Sequence, residues 1–200
     1  ARCQRRCRTP QFAGTVPGIW DGGNNAQRFD LARQHAKTKT PGECQWEADV
    51  HSEIWGRINP SFAPRTAEEI AAKIKDLEAD AKRWGFTIKV RNYAIGDFKG
   101  QFVDSSVKFS RGTGSAMGFT NDGVQAYGRG WVIKGRNVVE VGYNAGGGGC
   151  WTNVDRAFLE GHTAAAQSEA IGIVNSLALV EKGDFKKVPY MGPKLDGSDL

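Results

Sequence analysis

The sequence predicts an α+β domain: an antiparallel sheet with two main helices packed on one face, plus an extended N-terminal arm and a C-terminal tail. Three stretches carry that expectation. Residues 131–133 and 138–141 are β-rich runs, and Lys134-Gly135-Arg136-Asn137 between them is a hairpin turn signal. Thr66 and Glu69 form a capping box, after which Ile70, Ile74, Leu77, Ala81 and Trp84 recur on one stripe up to Gly85, where a C-terminal cap belongs. From 163 to 180 the period is helical again, with Ile171, Val174, Leu177 and Ala178 on one side. Hairpin and helices each have one apolar face, and those faces bury on one another.

Taken in order, residues 1–43 read as a basic extended arm. Pro10, Pro17, Pro41, Gly14, Gly18, Gly22 and Gly23 punctuate it too often for a long helix. Within it, residues 27–36 suit a short helix anchored by Phe29 and Leu31 and capped by Asn25. A single α+β domain follows over 44–181. Cys44, Trp46, Ala48 and Val50 alternate with Gln45, Glu47 and Asp49 as a half-buried strand, which Ile54, Trp55 and Ile58 extend until Asn59-Pro60. A helix is predicted over 67–84, then strands over 86–90 and 102–109 around a Gly96-Asp97 turn. Asn121-Asp122-Gly123 signals a further hairpin, and the glycines at 146–149 a break in the chain. Residues 182–200 form a polar surface tail.

Composition suits a globular domain: 200 residues, 40% hydrophobic and 24% charged. No apolar run reaches the roughly 18 residues of a membrane span. The net charge of +5 is uneven. Residues 1–40 hold eight basic side chains against two acidic ones, +6, and the remainder carries −1. Basic charge in an arm suits an acidic partner or a membrane surface, and Arg2, Arg5, Arg6 and Arg8 with Phe12 and Trp20 are the candidate partner contacts. A nucleic-acid-binding protein with an Arg-rich arm is disfavoured, because the aromatics do not interleave with the arginines and the body is slightly acidic.

Cys3, Cys7, Cys44 and Cys150 are an even set in a chain with 26 glycines, which favours disulfides and an oxidising compartment. Three pairings are open, one of them Cys3–Cys7 with Cys44–Cys150. No ligand spacing indicates a metal, and neither glycine-rich stretch has the context of a phosphate loop, so no cofactor is expected. His35, His51 and His162 stand beside no nucleophile motif. His51 and Glu53, two apart at a strand end, share a face, and a small secreted hydrolase built on them is the alternative to a binding protein.

Residues 128–179 resemble a group of actinobacterial exported domains: small secreted proteins or lipoproteins, and extracellular sensor domains of mycobacterial serine/threonine kinases. The shared features are the Asn-Val-Val-x-Val strand from Asn137 to Val141, its hairpin partner, and an Ala-rich closing helix with Ile173, Val174 and Leu177 in its core. Cys44-Gln45-Trp46 is also in keeping. The resemblance implies a secreted domain, or one on the outer face of the cell envelope, that binds something and has no catalytic residues to carry over. The expected function is a non-enzymatic binding or accessory domain, docked through its arm to a protein or cell-envelope partner.

Overall fold

Strands β8 (Asn121–Lys134) and β9 (Asn137–Cys150), paired along their whole length, form the spine of the computed structural model. The structure describes residues 11–17, 20–24, 27–39, 47–111, 121–150, 156–181 and 183–189. Gly135, at φ 59°, makes the two-residue turn between them, as the hairpin signal requires. Around this pair the eight-stranded sheet runs β2 (Asp21–Asn24), β3 (Arg28–Lys39), β4 (Glu47–Ile58), β9, β8, β6 (Phe98–Ser105), β5 (Ile88–Ile95), with β7 (Lys108–Arg111) also on β8; every pairing in it is antiparallel. A second, three-stranded sheet sets β1 (Gln11–Pro17) between β10 (Ala178–Val180) and β11 (Phe185–Val188), parallel to the latter.

Helix α1 (Ala67–Trp84) begins and ends where its caps lie. The Thr66 side chain accepts from Glu69 N, and Gly85 at φ 71° closes the helix. The Glu69 carboxylate reaches back to Arg65 N (2.5 Å), one residue before the usual box partner. Helix α2 (Arg156–Asn175) starts earlier than its apolar stripe suggests and ends earlier, since 178–180 leave it as β10.

The α+β class holds, but the helices do not share a face. Alternation along the strands divides the buried residues into two sets. Phe102, Val132, Val139, Val141, Tyr143 and Ile54 pack with Ala170, Ile173 and Val174 of α2. Val103, Trp131 and Val138, each next in sequence to one of those, pack with Ile70 and Ile74 of α1. The two helices therefore lie on opposite sides. Both faces of β6, β8 and β9 are apolar here, which a one-helix-face reading of the hairpin does not anticipate.

The extended arm is also corrected over its described part. Residues 11–17, 21–24 and 28–39 are strands, and Phe12, Val16, Trp20, Phe29 and Leu31 are buried in the main core. The helix expected at 27–36 is part of β3, hydrogen-bonded to β4 from Arg28 to Lys39 with one bulge near Gln34. Its buried face is Phe29, Leu31, Arg33 and His35. Two polar members disguise the alternation. The tail contributes β11 through Phe185, which packs on Phe29 at 5.0 Å between ring centroids. Asn121-Asp122-Gly123 and Gly146–Gly149 are strand rather than turn and break. A Cβ on Gly147 would stand 1.7 Å from Asp49 O, so the glycines there let β4 approach β9 closely.

Candidate functional site

Helix α2 covers β4, β9 and β8 on one side, and on the other side α1 packs over Val103, Trp131 and Val138, where β6 and the tip of the β8–β9 hairpin lie. The rest of that second face has no helix on it. Register places its side chains in rows across the strands. Arg28, Arg57, Glu140 and Trp131 form one row; Asp30, Trp55, Gly142 and Arg129 the next; then Ala32, Glu53, Asn144 and Tyr127; then Gln34, His51, Gly146 and Gln125.

The second row is built on a glycine. A Cβ at Gly142 would come within 2.3 Å of Trp55 Cζ2, so the indole lies across the strand where a side chain would otherwise stand. The guanidinium groups of Arg57 and Arg129 sit 5.3 and 5.7 Å from the Trp55 ring. Arg129 donates to the Glu140 carboxylate (2.8 and 2.5 Å), which also accepts from Trp131 Nε1 (3.0 Å). Buried Glu140 is thereby satisfied by three donors. Arg28 pairs with Asp30. Glu53 and Arg57, exposed on either side of Trp55, form no hydrogen bond or ion pair through their side chains among the described residues.

Clefts open along this face. One of about 640 Å³ is lined by Arg28, Arg57, Arg129, Glu140 and the turn at 59–63. Another of about 400 Å³ is lined by His51, Glu53, Ser110, Gln125 and Asn144. His51 and Glu53 thus do share an exposed face and a groove, as their spacing suggests.

A second polar constellation lies under α2, and nothing in the sequence points to it. His35 Nε2 is 2.5 Å from Ser52 Oγ, and its Nδ1 is 3.7 Å from Glu169 Oε2. Glu169 also accepts from Arg33 and from Trp20 Nε1 (2.6 Å). The composition is that of a Ser–His–acid triad, but the arrangement is structural. Ser52 and His35 are each 1% exposed, the His35–Glu169 separation is too long for a hydrogen bond, and the carboxylate is engaged by two other donors. Burial, with the nearby Arg33 charge, pushes His35 down to about 3, so the imidazole is neutral. A third cluster joins Tyr143 to Asp104 (3.0 Å) and Gln167 (3.0 Å), with Arg91 on Asp104 (2.8 Å).

Of the partner contacts expected in the arm, Phe12 and Trp20 are 0% and 1% exposed, so they are core residues rather than contacts. Arg2, Arg5, Arg6, Arg8, Cys3, Cys7 and Cys44 lie outside the described residues, and of Cys150 the backbone alone is described. Among the described residues, no group of three or more His, Cys, Asp or Glu side chains is placed to hold a metal, and no helix is long and apolar enough to cross a membrane.

No family model matches the chain, and no curated protein matches it. Among solved structures it is similar to LpqN of Mycobacterium tuberculosis, described as involved in cell envelope biogenesis. The TM-score is 0.43 and the identity 10%, over 88% of this chain and 87% of that one. This is loosely in keeping with the actinobacterial group that residues 128–179 resemble, and is too distant a likeness to carry an argument about function.

Proposed function

We propose that the chain is an exported binding or accessory domain without catalysis of its own, which takes its ligand on the helix-free face of the sheet. One observation carries the reading. Exposed polar side chains from β3, β4, β9 and β8 converge there in register around the half-buried Trp55, which lies between Glu53 and Arg57, neither with an ion-pair partner among the described residues. An aromatic platform flanked by open hydrogen-bonding groups is the usual make-up of a recognition surface. Export is supported by the even cysteine set and by the resemblance at 128–179. The basic segment carrying Arg2, Arg5, Arg6 and Arg8 adds a second, electrostatic contact in this reading.

A photo-crosslinking residue at Gln125 or Asn144 tests it. Exposed to a cell-envelope extract, both positions should trap the same component, and one at Lys75 on the solvent side of α1 should not. Equal trapping at all three would remove the face from consideration. The hydrolase reading has one observation of its own, the shared groove of His51, Glu53 and Ser110. An ester, amide or glycoside activity that disappears when His51 and Glu53 become Ala would replace the binding reading.

A further inference from the structure

The end of this face where β4 leaves the sheet is built differently from the rest. Asn59, at φ 53°, turns the chain out of the strand. Its N–H donates to Val138 O (2.8 Å) and its Oδ1 accepts from Val138 N (2.9 Å), while Nδ2 donates to Asn137 Oδ1 (3.0 Å). The Arg65 guanidinium then ties the turn shut, donating to Pro60 O (3.2 Å) and Arg136 O (3.3 Å). Held this firmly on the tip of the β8–β9 hairpin, the loop presents Phe62 with 95% of its surface exposed. A single exposed apolar side chain is ordinary by itself; what singles Phe62 out is that a bonded turn holds it in water at the mouth of a cationic cleft.

Beside Phe62 opens the cleft of about 640 Å³, whose charged lining is three arginines against the single Glu140. Arg129 is committed to Glu140 and Arg28 to Asp30. Arg57 is the excess cation, exposed, and has no acidic partner among the described residues. A soluble phosphate would use Arg57 and leave Phe62 idle; an apolar peptide would use Phe62 and leave Arg57 desolvated. An interface that is apolar a short way in and anionic at its surface engages both.

We infer that this end of the sheet docks on the acidic phospholipid headgroups of a membrane surface, with Phe62 entering the interfacial layer and Arg57 meeting a phosphate. The inference rests on the binding reading of the helix-free face and assigns a membrane contact to one end of it. Arginine suits the task because its planar fork meets a phosphate with two parallel hydrogen bonds, and aromatic side chains favour the headgroup level.

Flotation of the full chain with phosphatidylcholine vesicles, with and without about one-third phosphatidylglycerol, is the test. Binding should need the acidic lipid and weaken with salt. Phe62→Asp and Arg57→Glu should each reduce it about fivefold or more, while Lys75→Glu leaves it unchanged. Replacing Arg2, Arg5, Arg6 and Arg8 with Ser should lower the overall affinity yet preserve the dependence on Phe62. Both substituted side chains are exposed, so unchanged melting curves will show that the fold is intact. No binding to acidic vesicles, binding indifferent to both substitutions, or full displacement by millimolar inorganic phosphate would overturn the inference. If vesicle binding fails while crosslinks at Gln125 and Asn144 persist, the lipid contact falls and the binding face stands. If both fail, both fall.

Discussion

The same strands carry two different kinds of surface, and β4 shows both. Val50, Ser52, Ile54 and Ile58 point under α2 and are buried; His51, Glu53 and Arg57, alternating with them, are exposed. On the covered side a polar group persists where its partners are built in. Arg33 and Trp20 bond to Glu169 of α2, and His35 of β3 to Ser52 of β4, because an unpaired charge there would cost several kcal/mol. On the open side Arg57 stands without a counter-ion among the described residues at little cost, since water solvates it. Burial forces polar groups to satisfy one another. Exposure leaves them available to something else.

The largest test of this contrast is to break the covered side. Phe29→Ala removes a ring that is 0% exposed and packed on Phe12 and Phe185, and should cost about 3–5 kcal/mol in chemical denaturation. Glu169→Ala should cost a similar ~3–5 kcal/mol, because it removes the carboxylate to which the Arg33 guanidinium and the Trp20 indole N–H donate under α2. A loss below about 1 kcal/mol in either would mean that the arm segment is not part of the core.

Next comes pH. His35 is neutral in the fold, with a pKa near 3 against 6.5 in a free side chain. As pH falls below about 6.5 the unfolded chain takes up that proton first, so stability should fall with a slope of up to ~1.4 kcal/mol per pH unit down to about pH 3. Above pH 6.5 this residue contributes no slope. Melting temperatures of wild type and His35→Gln measured from neutral pH downward should diverge, with the variant flatter; parallel curves would place the acid sensitivity elsewhere.

Smaller still, Asn59→Ala loses the bond to Val138 N and puts a side chain with no local hydrogen bond at φ 53°, for about 1–2 kcal/mol. The smallest effects belong to the open face. Arg57→Glu and Phe62→Asp should each change stability by less than about 0.5 kcal/mol while altering binding, which is the separation the comparison requires. A destabilised Phe62→Asp would show the ring to be packed.

Where the signal is local, the sequence by itself determined the outcome. Thr66, Glu69 and Gly85 delimit α1 because caps satisfy backbone groups within a few residues of themselves, and Lys134-Gly135-Arg136-Asn137 makes its turn because Gly135 alone must reach a positive φ. The pairing of His51 with Glu53 on one face was legible for the same reason, since strand period sets it. Only the tertiary structure decided that residues 28–39 are a strand: Arg33 and His35 can be buried among apolar neighbours because Glu169 and Ser52, more than a hundred and about seventeen residues away respectively, each take a hydrogen bond with one of them. It also turned Gly146–Gly149 from a break into interior strand that β4 approaches closely, and set the two helices on opposite faces. The open face was invisible from the chain because its rows join β3, β4, β9 and β8 across more than a hundred residues of sequence, and whether a half-buried Trp55 lies over Gly142 depends on register, which no single strand specifies.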